Sequence, residues 1–222
     1  MIIFFVTTKQ INTMQYGIKR SVSDGKARKH LSAHMTKIKF KDFPEFTPNL
    51  TPKDILQLGS FGGTYFRPIH SSVTGKDYKG AWKEFPKEWF QSLDIETQVA
   101  SSKYDKRVNK YSVKCGATLQ FWEDKDWIKP QDPYGWFQWY CRFYAGRRSK
   151  DDDRQIDRWL KCAGDSGRWR LFLIGKIIKS GKTYNDTSVS PKVRQLLQHW
   201  GYKLTKRDFQ KRIRTLDARK KR

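Results

Sequence analysis

Seven arginines are concentrated in the second half of the chain, and they are the side chains best suited to chemistry with an anion. The planar guanidinium donates two parallel hydrogen bonds to a phosphate and stacks on aromatic rings and bases. Arg147 and Arg148 also fall between two expected helices, where the free N–H groups at a helix start attract anions. The candidate phosphate-binding block consists of Arg142, Arg147, Arg148, Arg154, Arg158, Arg168 and Arg170.

Nearby carboxylates offer a structural alternative for the same arginines. The acids Asp151–Asp153 and Asp157 are close enough in sequence to pair with them and to hold neighbouring helices together. Residues 131–200 nevertheless contain 14 basic and 7 acidic side chains, so pairing within this segment leaves a positive surplus. The sequence therefore leaves two interpretations open, an anion-binding face and a set of cross-links between helices.

A second basic run lies at the end of the chain. Helical spacing places Phe209, Ile213 and Leu216 on one face and basic side chains on the other. Such a helix could lie along a nucleic-acid backbone or on an acidic membrane. The basic run is also typical of a nuclear localisation signal. Because its apolar face is narrow, we favour docking onto the protein core, beside the Arg147–Arg148 pair, over membrane insertion. Its candidate phosphate contacts are Lys206, Arg207, Lys211, Arg212 and Arg214.

The glycine-rich segment Gly59–Thr64 is a possible third anion site, because bare backbone amides in such turns can bind phosphate. It has no adjacent lysine, unlike the phosphate-binding loop of nucleotide-binding proteins, and it does not match the G-x-G-x-x-G pattern. We therefore expect an ordinary tight turn here.

No set of residues has the spacing of a catalytic centre. Of the four histidines, only His30 and His34 are one helical turn apart, and no acid lies between them. Asp132 and Asp153 could hold Mg²⁺ for phosphodiester cleavage, which keeps a metal-dependent nuclease as an alternative. The consecutive acids Asp151–Asp153 point in different directions on a helix and suit its N-terminus better than a single ion. We assign no catalytic residue, metal or cofactor.

The net charge of the chain indicates that its partner is an anion. Lys and Arg number 46 against 22 Asp and Glu, giving a net charge of +24. A compact fold with this charge repels itself unless an anion is near, and nucleic acid and acidic membrane surfaces are the commonest anions on that scale. Residues 1–35 carry +5 and residues 201–222 carry +8, whereas residues 36–130 are nearly balanced.

Aromatic and cysteine content indicate a packed protein in a reducing, intracellular compartment. Aromatic side chains make up 15% of the residues, too many for a disordered basic tail. Cys115, Cys141 and Cys162 are odd in number and widely spaced, which fits neither a disulfide framework nor zinc ligands, so we expect buried thiols. No apolar run approaches the ~20 residues of a membrane helix. The apolar residues 2–6 are too few for a signal peptide, and we expect none.

The distribution of apolar residues predicts one mainly α domain, a multi-helix unit from residue 36 to 204. Basic extensions flank it, a flexible arm over residues 1–35 and an amphipathic helix or tail over residues 205–222. A small extended N-terminal portion would make the class α+β. Four tryptophans on apolar helix stripes are expected in the core: Trp136, Trp139, Trp159 and Trp169.

Capping residues and periodicity set the expected elements. Asp132 should open the aromatic helix, and the helix over residues 168–180 should turn Phe172 and Ile178 inward. Residues 69–81 are expected to form a loop, and residues 98–114 a loop or a pair of strands. Helices are expected at 51–58, 86–90, 118–125, 132–144, 151–162, 168–180, 190–200 and 205–216.

The segment Asp132–Arg148, with its core GWFQWYCRFYAGRR, resembles a conserved, uncharacterised protein family represented in fungi, algae, bacteria and large DNA viruses. The segments Asp152–Trp159, Phe61–Pro68 and Ser188–Pro191 are similar to the same family. The resemblance spans roughly residues 40–202. It implies one conserved domain with variable basic extensions, and because no activity is established for the family it assigns no function to any residue.

Together these features predict a protein that binds the phosphate backbone of nucleic acid without reading its sequence, DNA more readily than RNA. A packaging or chromatin-like component located in a nucleus, nucleoid or virion fits this expectation. Two alternatives stay open. One is a metal-dependent nuclease, and the other is a structural or minor virion protein whose charge faces DNA or an acidic partner.

Overall fold

The computed structural model describes residues 38–220, which are mainly α-helical, as predicted. The basic arm expected over residues 1–35 lies outside the described residues. Within residues 38–220, no helix has the length and apolar character that crossing a bilayer requires. The elements are α1 Pro52–Gln57, β1 Ile69–Ser71, β2 Lys76–Tyr78, α2 Leu119–Asp124, α3 Trp136–Tyr144, α4 Asp152–Ala163, α5 Arg168–Ser180, α6 Pro191–His199 and α7 Lys206–Lys220.

Helices α1, α2 and α4 to α7 lie within a few residues of their predicted bounds. Ser190, the predicted cap of α6, makes no side-chain capping bond, whereas α1 has the predicted cap. Thr51 Oγ1 accepts a hydrogen bond from Asp54 N at 3.0 Å, while the Asp54 carboxylate accepts one from Thr51 N at 2.9 Å. Thr118 caps α2 by accepting from Phe121 N. Gly181 ends α5 in the left-handed conformation, with φ 64°, which glycine adopts without strain.

A short hairpin covers residues 69–78, within the segment 69–81 that we expected to be a loop. β1 pairs antiparallel with β2, so that Ile69 lies opposite Tyr78. Each strand has three residues, too few for an alternating pattern to stand out in the sequence. The expected helix at residues 86–90 is a single 3₁₀ turn, and residues 98–114 form a loop with short helical turns rather than strands.

α3 begins at Trp136 rather than at Asp132, the start that we predicted. Gly135 precedes it with φ 83° and ψ −151°, a conformation outside any helix that residues with a side chain rarely adopt. A Cβ atom at this position would also lie 2.8 Å from Ile128 Cδ1. Asp132 lies on the far side of this break and binds arginines, so it does not cap the helix.

The centre of the core is α3, which is buried on almost every side, as its sequence predicted. Trp139, Tyr140 and Cys141 have no exposed surface. The ring of Phe46, also fully buried, lies 5.6 Å from that of Trp139 and 5.2 Å from that of Trp159 on α4. Buried rings of this size contribute much of the apolar area that stabilises a fold.

The polar atoms of two buried tryptophans join the helices to each other. Trp139 Nε1 donates a hydrogen bond to Asp152 Oδ1 at 2.8 Å, which fixes α3 against the start of α4. Trp159 Nε1 donates to the carbonyl oxygen of Trp200 at 2.8 Å, which fixes α4 against the end of α6. An indole N–H without a partner would be costly in the interior. These two bonds therefore set the position of α4 as well as satisfying the rings.

Two apolar residues of α5 lie outside the core, contrary to the prediction. Phe172 and Ile178 are 44% and 41% exposed, because only one side of α5 packs against the neighbouring helices. Of the four tryptophans expected in the core, three are buried and Trp169 is half-buried. The buried stripe of α5 consists of Arg170, Leu173, Ile174 and Ile177.

All three cysteines are free and buried, as predicted. Burial raises the pKa of Cys115 to about 11 and that of Cys162 to about 12. Burial also raises the pKa of Cys141 well above its ordinary value. The three thiols are therefore protonated at neutral pH and pack as small apolar groups.

Replacing Trp139 by alanine should lower the free energy of unfolding by about 3–5 kcal/mol, because it empties the centre of the core and leaves Asp152 without its indole donor. Urea denaturation followed by circular dichroism measures the change. Phe172→Ala, which removes an exposed ring, is the control and should change the stability by less than about 0.5 kcal/mol. Equal losses in the two variants would show that the core is not centred on α3.

Candidate nucleic-acid interface

Arg142 and Arg147, two members of the predicted block, converge on one buried carboxylate. Arg147 donates from its two terminal nitrogens to the two oxygens of Asp132, at 2.8 and 2.7 Å, and Arg142 donates to Asp132 Oδ1 at 2.9 Å. Arg142 also binds the Glu84 carboxylate, at 2.6 and 2.7 Å. The Asp132 side chain is only 1% exposed. The two guanidiniums therefore cross-link the loop before α3 to the end of α3.

Three further arginines of the block are ion-paired within the protein. Five of the seven arginines thus have carboxylate partners, as the structural alternative proposed, although only one of those partners is among the four acids expected. The remaining pairs are Arg148 with Asp42, Arg154 with Asp151, and Arg170 with both Asp165 and Asp208.

Arg158 on α4 differs from these five, because no carboxylate pairs with it in the described part of the chain. Its guanidinium carbon lies 5.4 Å from the ring centre of Trp127 and 5.5 Å from that of Trp200. Its Nη1 donates one hydrogen bond, to Gln155 Oε1 at 2.9 Å. Burial, followed by the like charge of Arg154, lowers the pKa of Arg158 to about 10. At neutral pH the side chain is still charged, in surroundings that disfavour the charge.

Trp127 belongs to an exposed pair of rings beside Arg158. It is 41% exposed, Phe121 of α2 is 42% exposed, and the two rings meet edge to face at 5.7 Å. Lys125 Nζ lies 6.0 Å from the ring centre of Phe121 and forms no ion pair within residues 38–220. We call Phe121, Lys125, Trp127, Arg158 and Trp200 the aromatic–cation patch. It combines exposed apolar ring surface with two cations, Lys125 and Arg158, that form no ion pair with any residue of the described range.

Arg168 extends the positive charge of the patch to the start of α5. It is exposed, its guanidinium carbon lies 4.6 Å from the ring centre of Trp169, and it has no ion pair among the described residues. Burial raises the pKa of the Cys162 thiol to about 12, and the charges of Arg158 and Arg168 partly oppose that rise. Both guanidiniums therefore act electrostatically on the same thiol, near the end of α4.

The C-terminal helix α7 docks onto the protein through the apolar face that the sequence predicted. Phe209 packs against the core, and Ile213 and Leu216 are half-buried. Lys211 on this helix pairs with Asp165 at 2.5 Å. The ion pair lies at the start of α5, whereas we expected the helix to lie beside Arg147 and Arg148.

Four of the five cations of α7 that the sequence singled out remain available to an external anion. They form no ion pair with any residue that the structure describes, unlike Lys211. Three of them are exposed and the fourth is half-buried. They are Lys206, Arg207, Arg212 and Arg214.

The segment Gly59–Thr64 is a tight turn, as predicted, in which three amides donate to backbone carbonyls and two more donate to side chains. Phe61 N donates to His199 Nε2 at 3.0 Å, and Gly62 N donates to Asn109 Oδ1 at 2.8 Å. The turn therefore joins α6 to the loop that holds Asn109. These two amides are not available to a phosphate.

The candidate catalytic residues do not come together. Asp132, proposed as a metal ligand, has both oxygens engaged by arginines, and Asp153 is exposed. His199 is buried, which lowers its pKa to about 3 and keeps it neutral. Within residues 38–220, no group of three His, Cys, Asp or Glu side chains is arranged to hold a metal ion. His30 and His34 lie outside the described residues.

Comparisons of the chain with protein-family models, with curated proteins and with solved structures found no match. The family resemblance centred on residues 132–148 therefore stays a prediction. The function has to be argued from the geometry of the site.

Sequence reasoning identified Arg158 and Arg168 but missed the rings around them. A signal was present at Phe121 and Trp127, which lie in a short polar stretch with Lys125 between them. A helix of six residues cannot bury aromatic rings on all sides. Aromatic residues there, next to lysine and without an apolar stripe, indicate exposed rings.

Replacing Asp132 by asparagine should lower the free energy of unfolding by about 3–5 kcal/mol, because it leaves two partly buried guanidiniums without their shared negative charge. Urea denaturation at neutral pH measures the loss. Asp157→Asn is the matched control. It breaks an exposed pair with Lys161 and should cost less than about 1 kcal/mol. If the two variants lose the same stability, Asp132 is not a structural cross-link.

Proposed function

We propose that this protein binds nucleic acid through the phosphate backbone, with little dependence on sequence. The observation that carries the proposal is the unpaired charge of Arg158 between Trp127 and Trp200. An unpaired, partly buried charge destabilises a fold. Five neighbouring arginines of the block have carboxylate partners, and this one does not. A phosphate from outside would supply the missing negative charge.

A chain of phosphates suits the surface better than one small anion. Arg158 has five N–H donors and uses one of them within the protein, so several remain for the oxygens of a phosphate. Lys125 and Arg168 also form no ion pair with any residue that the structure describes. A polyanion can contact all three cations at once.

The C-terminal helix adds a second row of unpaired cations. Lys211 of α7 binds Asp165, which precedes Arg168 by three positions in the sequence. The four other cations of α7 named above, Lys206, Arg207, Arg212 and Arg214, can contact further phosphates. Contacts of this kind position a protein on nucleic acid without reading bases. Such binding suits a packaging or chromatin-like component.

Affinity for a DNA duplex should fall steeply with salt. The logarithm of the binding constant should fall by about 0.9 for each phosphate neutralised, per unit of log salt concentration. With about five contacts the slope is about −4.5. Fluorescence anisotropy of a labelled duplex between about 50 and 200 mM salt measures it. A slope near zero would show that phosphate contacts do not dominate binding.

Replacing Arg158 by methionine should weaken binding about tenfold or more, because it removes a charge-assisted contact to phosphate. The melting temperature should stay the same or rise, since the lost charge has no carboxylate partner among the described residues. Arg148→Met is the matched control. That arginine also lies over a ring, Phe143, but is paired with Asp42, and its loss should leave the affinity nearly unchanged. The reverse order of affinities would place the binding surface at Arg148.

A further inference from the structure

We infer that the nucleic acid bound at the aromatic–cation patch is single-stranded, with unpaired bases stacked on Trp127 and Phe121. The inference rests on the proposed function and goes further, because it specifies the strandedness of the target. A protein that contacts only phosphates needs no exposed rings. The two rings of the patch are 41% and 42% exposed, although the same fold buries Trp136, Trp139 and Trp159.

The rings of the patch lie in an arrangement that a base can extend. Arg158 lies near both indoles, with its guanidinium carbon 5.5 Å from the ring centre of Trp200 and 5.4 Å from that of Trp127. A base stacked on the exposed surface of Trp127 would add a further flat group to this cluster. Bases stack on tryptophan with little dependence on sequence, because every base has an aromatic face. A duplex hides those faces between its base pairs, whereas a single strand presents them.

Phe121 supplies a second ring close to the first. Its plane is nearly perpendicular to that of Trp127, with an interplanar angle of 86° and centres 5.7 Å apart. The two faces therefore point in different directions and would take different bases. Lys125 beside Phe121 and Arg158 beside Trp127 place one cation next to each ring, where it can contact the phosphate of the stacked nucleotide.

The same combination recurs on α5, where a longer strand would continue. Arg168 lies over Trp169, the rings of Trp169 and Phe172 are 5.8 Å apart, and Lys176 Nζ lies 5.4 Å from the centre of the Phe172 ring. Neither cation has an ion pair among the described residues. Rings and cations thus alternate within each of the two sets, as bases and phosphates alternate along a single strand.

The experiment compares a fluorescein-labelled oligothymidine with a mixed-sequence duplex of the same length, using the full chain at fixed salt. The native protein should bind the single strand more tightly. Trp127→Ala should weaken single-strand binding about 5- to 150-fold, the range for loss of one stacked base, and change duplex binding much less. Trp127→Phe keeps an aromatic face and should retain most of the affinity.

Tyr144→Ala is the matched control, since Tyr144 is 37% exposed but has no cation over its ring among the described residues. Its loss should change neither affinity. Tryptophan fluorescence supplies an independent readout, because stacking of a base should quench Trp127 and the quenching should disappear in Trp127→Phe. This readout decides the matter even if Trp127→Ala does not fold.

Two different failures can be told apart. If the native protein binds both oligonucleotides with a steep salt dependence, and Trp127→Ala changes them equally or not at all, the single-strand inference is wrong and the proposed function stands. If the native protein binds neither oligonucleotide, the proposed function itself is wrong. Unquenched tryptophan fluorescence on a tightly bound single strand also overturns the stacking inference.

Discussion

The bond network around Asp132 determines where the rest of the structure lies. Its carboxylate binds Arg142 on α3 and Arg147 after α3, so the loop that leads into the central helix is fixed to the end of that helix. Trp139 on α3 then binds Asp152 at the start of α4, and α4 carries Arg158. The chain has only 22 acidic side chains for 46 basic ones. A single carboxylate that pairs with two arginines therefore offsets the charge repulsion at two positions.

Two of the buried tryptophans, Trp139 and Trp159, differ from the exposed Trp127 in what their side chains contact. Trp139 and Trp159 are fully buried, and the N–H of each donates to an oxygen of another element. Trp127 is largely exposed, and its neighbour is the guanidinium of Arg158. The first arrangement satisfies an indole in a dry interior, where an unpaired N–H is costly. The arrangement at Trp127 leaves part of the ring surface accessible to solvent, and packing of the core does not explain that exposure.

The sequence predicted the regular helices well because the signals that set their limits are local, as at Thr51 and Gly181. It did not predict the start of α3, since the effect of Gly135 depends on Ile128 packing against it. It also could not divide the arginines into paired and unpaired. Arg142 and Arg148 find Glu84 and Asp42, which are 58 and 106 positions away in sequence. Only tertiary structure brings such partners together, and only their positions show that Arg158 lacks one.

Because Cys141 is buried, alkylation of its thiol reports on unfolding of the core. Reaction with an alkylating agent requires both a thiolate and access, and this thiol at the centre of α3 has neither in the folded state. Its modification is therefore coupled to opening of the whole core. Cys115 and Cys162 are 6% and 8% exposed, nearer the surface, so smaller and more frequent openings expose them. The order in which the three sulfurs are alkylated distinguishes local breathing from global unfolding.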